Sequence, residues 1–84
     1  SLGLLYLSQQ RYAEAAEQAR RAVETDSTFY AGWILLGTAY ALNDMNIQAD
    51  SVLQMLFGVD SAMGFQMLNV ITQEHKKRKA GQKQ

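Results

Sequence analysis

An all-α chain of antiparallel helix pairs is what this sequence predicts, and three observations carry the prediction. The 84 residues contain no proline, so no position forbids a helix on backbone grounds. Apolar residues and alanines recur at helical spacing between short polar breaks. Residue types with narrow steric or capping roles also return at an offset of 34 positions. Leu2 pairs with Leu36, Gly3 with Gly37, Tyr6 with Tyr40, Ala15 with Ala49, and Asp26-Ser27 with Asp60-Ser61. Thr38 and Thr72 align at the same offset, which hints at a third unit starting near Met63.

Taken in order, Leu2 to Leu7 reads as the end of a helix that began upstream. Tyr12 to Glu24 is a helix on propensity alone, because Ala13, Ala15, Ala16, Ala19 and Ala22 favour it and Glu17 faces Arg21 one turn on. Asp26, Ser27 and Thr28 offer an N-cap for a second helix running to about Leu42. Asn43 and Asp44 break that helix and cap a third, near Met45 to Phe57, with Gly58 suited to a left-handed C-terminal position. Asp60 and Ser61 then cap a last helix, expected to carry Phe65, Leu68 and Ile71 on one stripe and to dissolve into the basic tail. The expected organisation is a truncated first unit over 1–26, a complete second unit over 27–60, a closing helix over 61–79 and a flexible tail over 80–84.

With 48% hydrophobic and 19% charged residues the chain can form a packed core, but it is too short to carry a catalytic domain with its own cleft. No cysteine means no disulfide staple, no zinc knuckle and no thiol nucleophile. The longest uncharged run, Ser27 to Asn43, is seventeen residues, short of the roughly 18–20 that a membrane span needs. Its serine, threonines, glycines and asparagine read as a core helix of a water-soluble domain. Charge is balanced in total but not along the chain: three basic residues stand against eight acidic ones up to His75, and five basic residues with no acid follow. Ser1 opens directly into an apolar segment, as expected of a fragment whose start lies upstream. Lack of cysteine leaves the redox compartment open, and with no signal or membrane-spanning pattern in the fragment the location stays unassigned, the cytoplasm slightly favoured.

Trp33-x-x-Leu36-Gly37-x-x-Tyr40, followed nine residues later by Ala49, resembles the tetratricopeptide repeat signature, and the 34-residue offset matches that family's period. The first unit repeats the later part in Leu2-Gly3-x-x-Tyr6 and Tyr12-x-x-Ala15, so the resemblance covers 1 to about 63, with the remainder resembling the helix that closes such arrays. It implies a short α-α superhelix, or solenoid, with a C-terminal capping helix. On physical grounds, Gly3 and Gly37 lack a side chain where paired helices would cross, Ala15 and Ala49 offer the matching small surface, and Trp33 and Tyr40 fill space between units. The sequence departs from the family in three ways. Ser27 and Ser61 stand where a proline is usual, Leu56 replaces the small residue that Ala22 supplies in the first unit, and the third unit lacks the Trp, Gly and Tyr equivalents.

The resemblance further implies a protein or peptide partner held in a concave groove lined by the first helix of each pair. Its residues here would be Leu4, Leu7 and Ser8, then Ala31, Ile34, Leu35, Thr38, Ala41 and Leu42, then Phe65, Leu68, Asn69 and Thr72. That face is apolar and lacks the lysine and asparagine clamp with which some relatives hold chaperone tails, so an amphipathic helix or apolar extended segment is the expected guest. Alternatively, Ile34 and Leu35 pack inside their own pair or against the next unit. Because about three repeats are usually needed for stability, the short array is expected either to be the end of a longer one or to form a homodimer, and Met55, Met63 and Met67 would suit an adaptable contact or fill the core.

Catalysis is not expected: Glu14 and Glu17 share a face, but no nucleophile with a base and no phosphate cradle accompanies them. No cofactor or metal is expected either, since His75 stands alone beside a cationic run. Lys76-Lys77-Arg78-Lys79 has no interleaved aromatic and no base-reading fold around it, which argues against nucleic acid or a membrane as partner and for a solvated tail.

Overall fold

A computed structural model describes Tyr6 and residues 9–82, with side chains through Lys77. Its described residues form four helices and no strand: α1 (Tyr12–Thr25), α2 (Tyr30–Leu42), α3 (Asn46–Val59) and α4 (Ser61–Gln82). The expected helices are present, α4 three residues longer than the expected end at 79, so the basic run is helical backbone. The expected upstream helix over Leu2 to Leu7 lies outside the described residues except at Tyr6.

The turns show how the chain reverses without proline. Arg11 and Gln9 donate their backbone N–H groups to the Tyr6 carbonyl at 2.8 and 3.2 Å, and Met45 and Asn43 do the same to the Tyr40 carbonyl at the same two distances. Gln10 and Asp44, 34 positions apart, both take the left-handed conformation at φ 61°. Helices α1 and α3 end alike as well, at Asp26 (φ −144°, ψ 101°) and Asp60 (φ −162°, ψ 121°). The 34-residue period of the sequence is therefore a period of backbone geometry.

Three expected caps are corrected by this geometry. Gly58 is not a left-handed cap; it lies inside α3, because the extended Asp60 ends that helix two residues later. The Asp26 carboxylate does not cap α2. It accepts from the backbone N–H and the hydroxyl of Thr28, at 3.0 and 2.6 Å, closing a turn that delays α2 to Tyr30. At the third junction the residue before α3 is Met45, which offers no capping side chain, because left-handed Asp44 is spent on the turn. Only Asp60 caps as expected, its carboxylate accepting the Ala62 N–H at 3.0 Å.

Helix α2 packs against each of the other three, while α3 also meets α4. A helix with three neighbours must be apolar on nearly every side, and α2 contains no charged residue. Between α1 and α2 lies a cluster of small side chains, Ala15, Ala16, Ala19 and Ala39, closed by Val23, Leu36 and Leu42. On the other side Ile34 joins Ala49, Val52 and Leu56 of α3 and Met67 of α4. Trp33 and Tyr40 pack against both clusters, and the Trp33 indole N–H donates to the Ser27 carbonyl at 2.8 Å. Leu56 is fully buried in the cluster that includes Met67 of α4, while its counterpart Ala22 is half-buried.

Gly37 marks a close approach between α2 and α4. A Cβ there would lie 2.6 Å from the Met67 Sδ and Cε atoms and 3.0 Å from Val52 Cγ1. The glycine thus admits α4 as much as the other helix of its own pair. Met67 is itself buried and cannot swing into solvent. Gly37→Leu is expected to lower stability by about 1–3 kcal/mol in urea denaturation, with part of the loss returned when Met67→Ala is added. At the turn, Asp44→Val should cost about 1–2 kcal/mol whereas Asp44→Gly should not, and thermal melts followed by circular dichroism separate the two.

Candidate protein-interaction surface

Several residues expected to line a groove are interior. Ile34 is 8% exposed, Leu42 3% and Thr38 0%, with the Thr38 hydroxyl donating to the Ile34 carbonyl at 2.7 Å. They are corrected from groove to core: α2 turns these residues toward its neighbours, leaving them no surface to offer. Leu35 and Ala41 are half-buried, Leu35 against the small-residue cluster and Ala41 against the Met67 cluster. Ala31, Phe65, Leu68, Asn69 and Thr72 are exposed. Gly3, Leu4, Leu7 and Ser8 lie outside the described residues.

The remaining motif positions are structural. Ala15, Leu36, Gly37 and Ala49 are buried, while Tyr6, Trp33 and Tyr40 are half-buried against the clusters. Of the methionines, Met67 is core and Met55 and Met63 pack beside it, so at these three positions the sulfur fills space.

Helix α4 has two faces of different fate. Met63, Met67, Val70 and Ile71 pack inward, correcting the expected apolar stripe of Phe65, Leu68 and Ile71. Phe65 is 63% exposed and Leu68 39%. With Asn69 and Thr72 they form a stripe at spacings of three and four, one face of a helix. Phe65 meets the Phe57 ring of α3 edge-on at 5.2 Å. That contact depends on Gly64, where a Cβ would fall 2.5–2.6 Å from the Phe57 ring. This aromatic pair over a glycine was missed from sequence; the signal was Phe57 and Gly64 standing seven residues apart across the Asp60 turn.

The polar surface is largely self-paired. Arg11 Nε donates to Glu14 at 3.0 Å, and the Arg11 Cζ atom lies 4.5 Å over the Tyr6 ring centroid. Arg20 bridges Glu17 and Glu24, and Arg21 also reaches Glu17, at 3.3 Å. A shallow open depression of about 190 Å³ lies between Ala13, Glu17 and Arg20 of α1 and Tyr40, Asn43 and Met45. Its charged groups are engaged with each other. Backbone and Arg11 hydrogen bonds hold the Glu14 carboxyl below its ordinary range, and Arg20 does the same for Glu17. The described residues include no group of three His, Asp or Glu side chains able to hold a metal ion. No described helix is long and apolar enough to cross a membrane. Comparison with protein-family models, curated proteins and solved structures gives no match.

Asp26 is likewise held low by the Thr28 hydroxyl and N–H. A carboxylate with a depressed folded-state pKa contributes stability above its unfolded value and loses it as pH falls through the folded one. Thermal midpoints should therefore drop below about pH 4. Asp26→Asn should flatten that slope in a pH series of melts, and added salt should weaken the share due to the exposed pairs of Glu14 and Glu17.

Proposed function

We propose that this chain is a short tetratricopeptide-like array whose role is to bind another protein. The observation that carries this reading is the recurrence, 34 residues apart, of the same turn: a tyrosine carbonyl, Tyr6 or Tyr40, closing on a left-handed residue, Gln10 or Asp44. Sequence and backbone share that period, as a stacked helix-turn-helix repeat requires. The position of α2, packed on the helix before it, its own partner and α4, is in keeping with the first helix of an internal unit.

Binding is favoured over chemistry because the acidic residues that share a face are each tied to arginine. The surface left for a partner comprises Ala31 on α2 and Phe65, Leu68 and Asn69 on α4, with Leu35 half-available. An uncharged surface of this kind suits an amphipathic helix or an apolar extended segment. No cofactor is part of the proposal.

Selection from a displayed library of 20-residue amphipathic peptides, followed by backbone NMR titration with the selected peptide, tests it. Shifts should concentrate at Ala31, Leu35, Phe65 and Asn69, and Ala31→Arg should weaken binding by about tenfold or more with helicity unchanged. A library that yields no binder, or shifts confined to α1, would overturn the reading.

A further inference from the structure

Helix α4 outruns the helices packed against it. It is joined to α3 through Asp60 alone, and the two run antiparallel, Met67 packing with Ala49, Val52 and Leu56. With 14 residues in α3 and 22 in α4, the last eight residues of α4, from His75 onward, pass the start of α3. Against α2 the counterpart of Lys76 is Leu42, its last residue. At the helical rise the extension is about 12 Å long.

This extension is where the chain concentrates its positive charge. Lys76, Lys77, Arg78 and Lys79 are four of the eight Lys and Arg residues, and no acidic residue follows Glu74. Consecutive positions of a helix stand about 100° apart, so four in a row take every side of it. Lys76 is exposed; Lys77, exposed as well, meets Glu74 at 3.0 Å, so one acid offsets one of the four cations. Two ordinary uses do not absorb the run. A tail dissolving in water needs no helix, yet α4 keeps its helical backbone to Gln82. The macrodipole favours cations only within the last turn, and Lys76 and Lys77 stand six and five residues before Gln82.

A ring of cations on a protruding helix fits an anionic ligand that meets it from more than one side. A lipid surface is flat and faces one side only. The major groove of duplex DNA is walled by phosphates on both sides and, at about 12 Å wide, admits an α-helix, whereas the deep, narrow major groove of duplex RNA does not. Phosphate contacts position a protein without reading sequence, so the lack of a base-reading fold is no obstacle to them. The residues through His75, three basic against eight acidic, are repelled by phosphate, which confines contact to the extension.

We propose that the helical extension Lys76–Lys79 of α4 is a binding site for duplex DNA, one that holds phosphates and reads no bases. It is separate from the surface assigned to a peptide. Fluorescence anisotropy of a labelled DNA duplex of about 20 base pairs, titrated with the full chain, tests it. Binding should weaken about 50-fold between about 50 and 200 mM salt, as three or so phosphate contacts require. Lys76→Gln, Arg78→Gln and Lys79→Gln together should weaken it at least about tenfold at low salt, with helicity unchanged by circular dichroism. Lys76→Arg with Lys79→Arg keeps the charge and should keep the binding, and Arg21→Gln on α1 should leave it unchanged. A single strand of the same length, having no second wall, should bind more weakly. The proposal is overturned by an anisotropy that does not change at about 20 mM salt, by a triple variant that binds as the parent does, or by a single strand bound as tightly as the duplex. Tighter binding to vesicles of equal parts phosphatidylcholine and phosphatidylserine than to the duplex overturns it in favour of a lipid surface.

Discussion

Everything in this fold depends on α2 being uncharged and packed against each of the other three helices. Thirteen residues without a charge would be insoluble alone, and the chain solves this by laying α1 on one side and α3 with α4 on the other. The two covers differ. Toward α1 the contact centres on Ala15, Ala16, Ala19 and Ala39, which let the backbones come close, with Val23, Leu36 and Leu42 closing it. Toward α3 and α4 it is Ile34, Val52, Leu56 and Met67, whose larger side chains contribute more through burial and dispersion. Gly37 stands where that second cover comes close, and Trp33 and Tyr40 tie the two together.

Much of this architecture could be read from the sequence because it is written in local terms. Alanine content located α1, the uncharged run located α2, and the paired Asp-Ser dipeptides located the ends of α1 and α3. The cap chemistry was less legible, since an aspartate before a helix can serve the preceding turn, the following helix or both. Asp26 took the first course and Asp60 the second, and the difference is a threonine hydroxyl: Thr28 captures the Asp26 carboxylate, while the counterpart of Thr28, Ala62, has only its N–H to give.

The candidate surface was less legible still. Sequence spacing says which residues share a face of a helix but not how many neighbours that helix has. A stripe such as Ile34, Thr38 and Leu42 becomes core when α2 is covered on nearly all sides, while Leu68 and Thr72, at the counterparts of Ile34 and Thr38, remain outside. The aromatic contact of Phe57 and Phe65 lay hidden for a related reason. It joins two helices, and only the missing side chain of Gly64 makes room for it.

The unequal covers of α2 bear on how the molecule comes apart. Because α1 packs chiefly on α2 alone, through small side chains, it can detach without exposing Leu56 or Met67. Detachment leaves α2, α3 and α4 as a three-helix remnant around its larger side chains. Opening of this kind costs less than global unfolding and is visited more often. Amide protons of α1 would then exchange with solvent ahead of those facing the Met67 cluster.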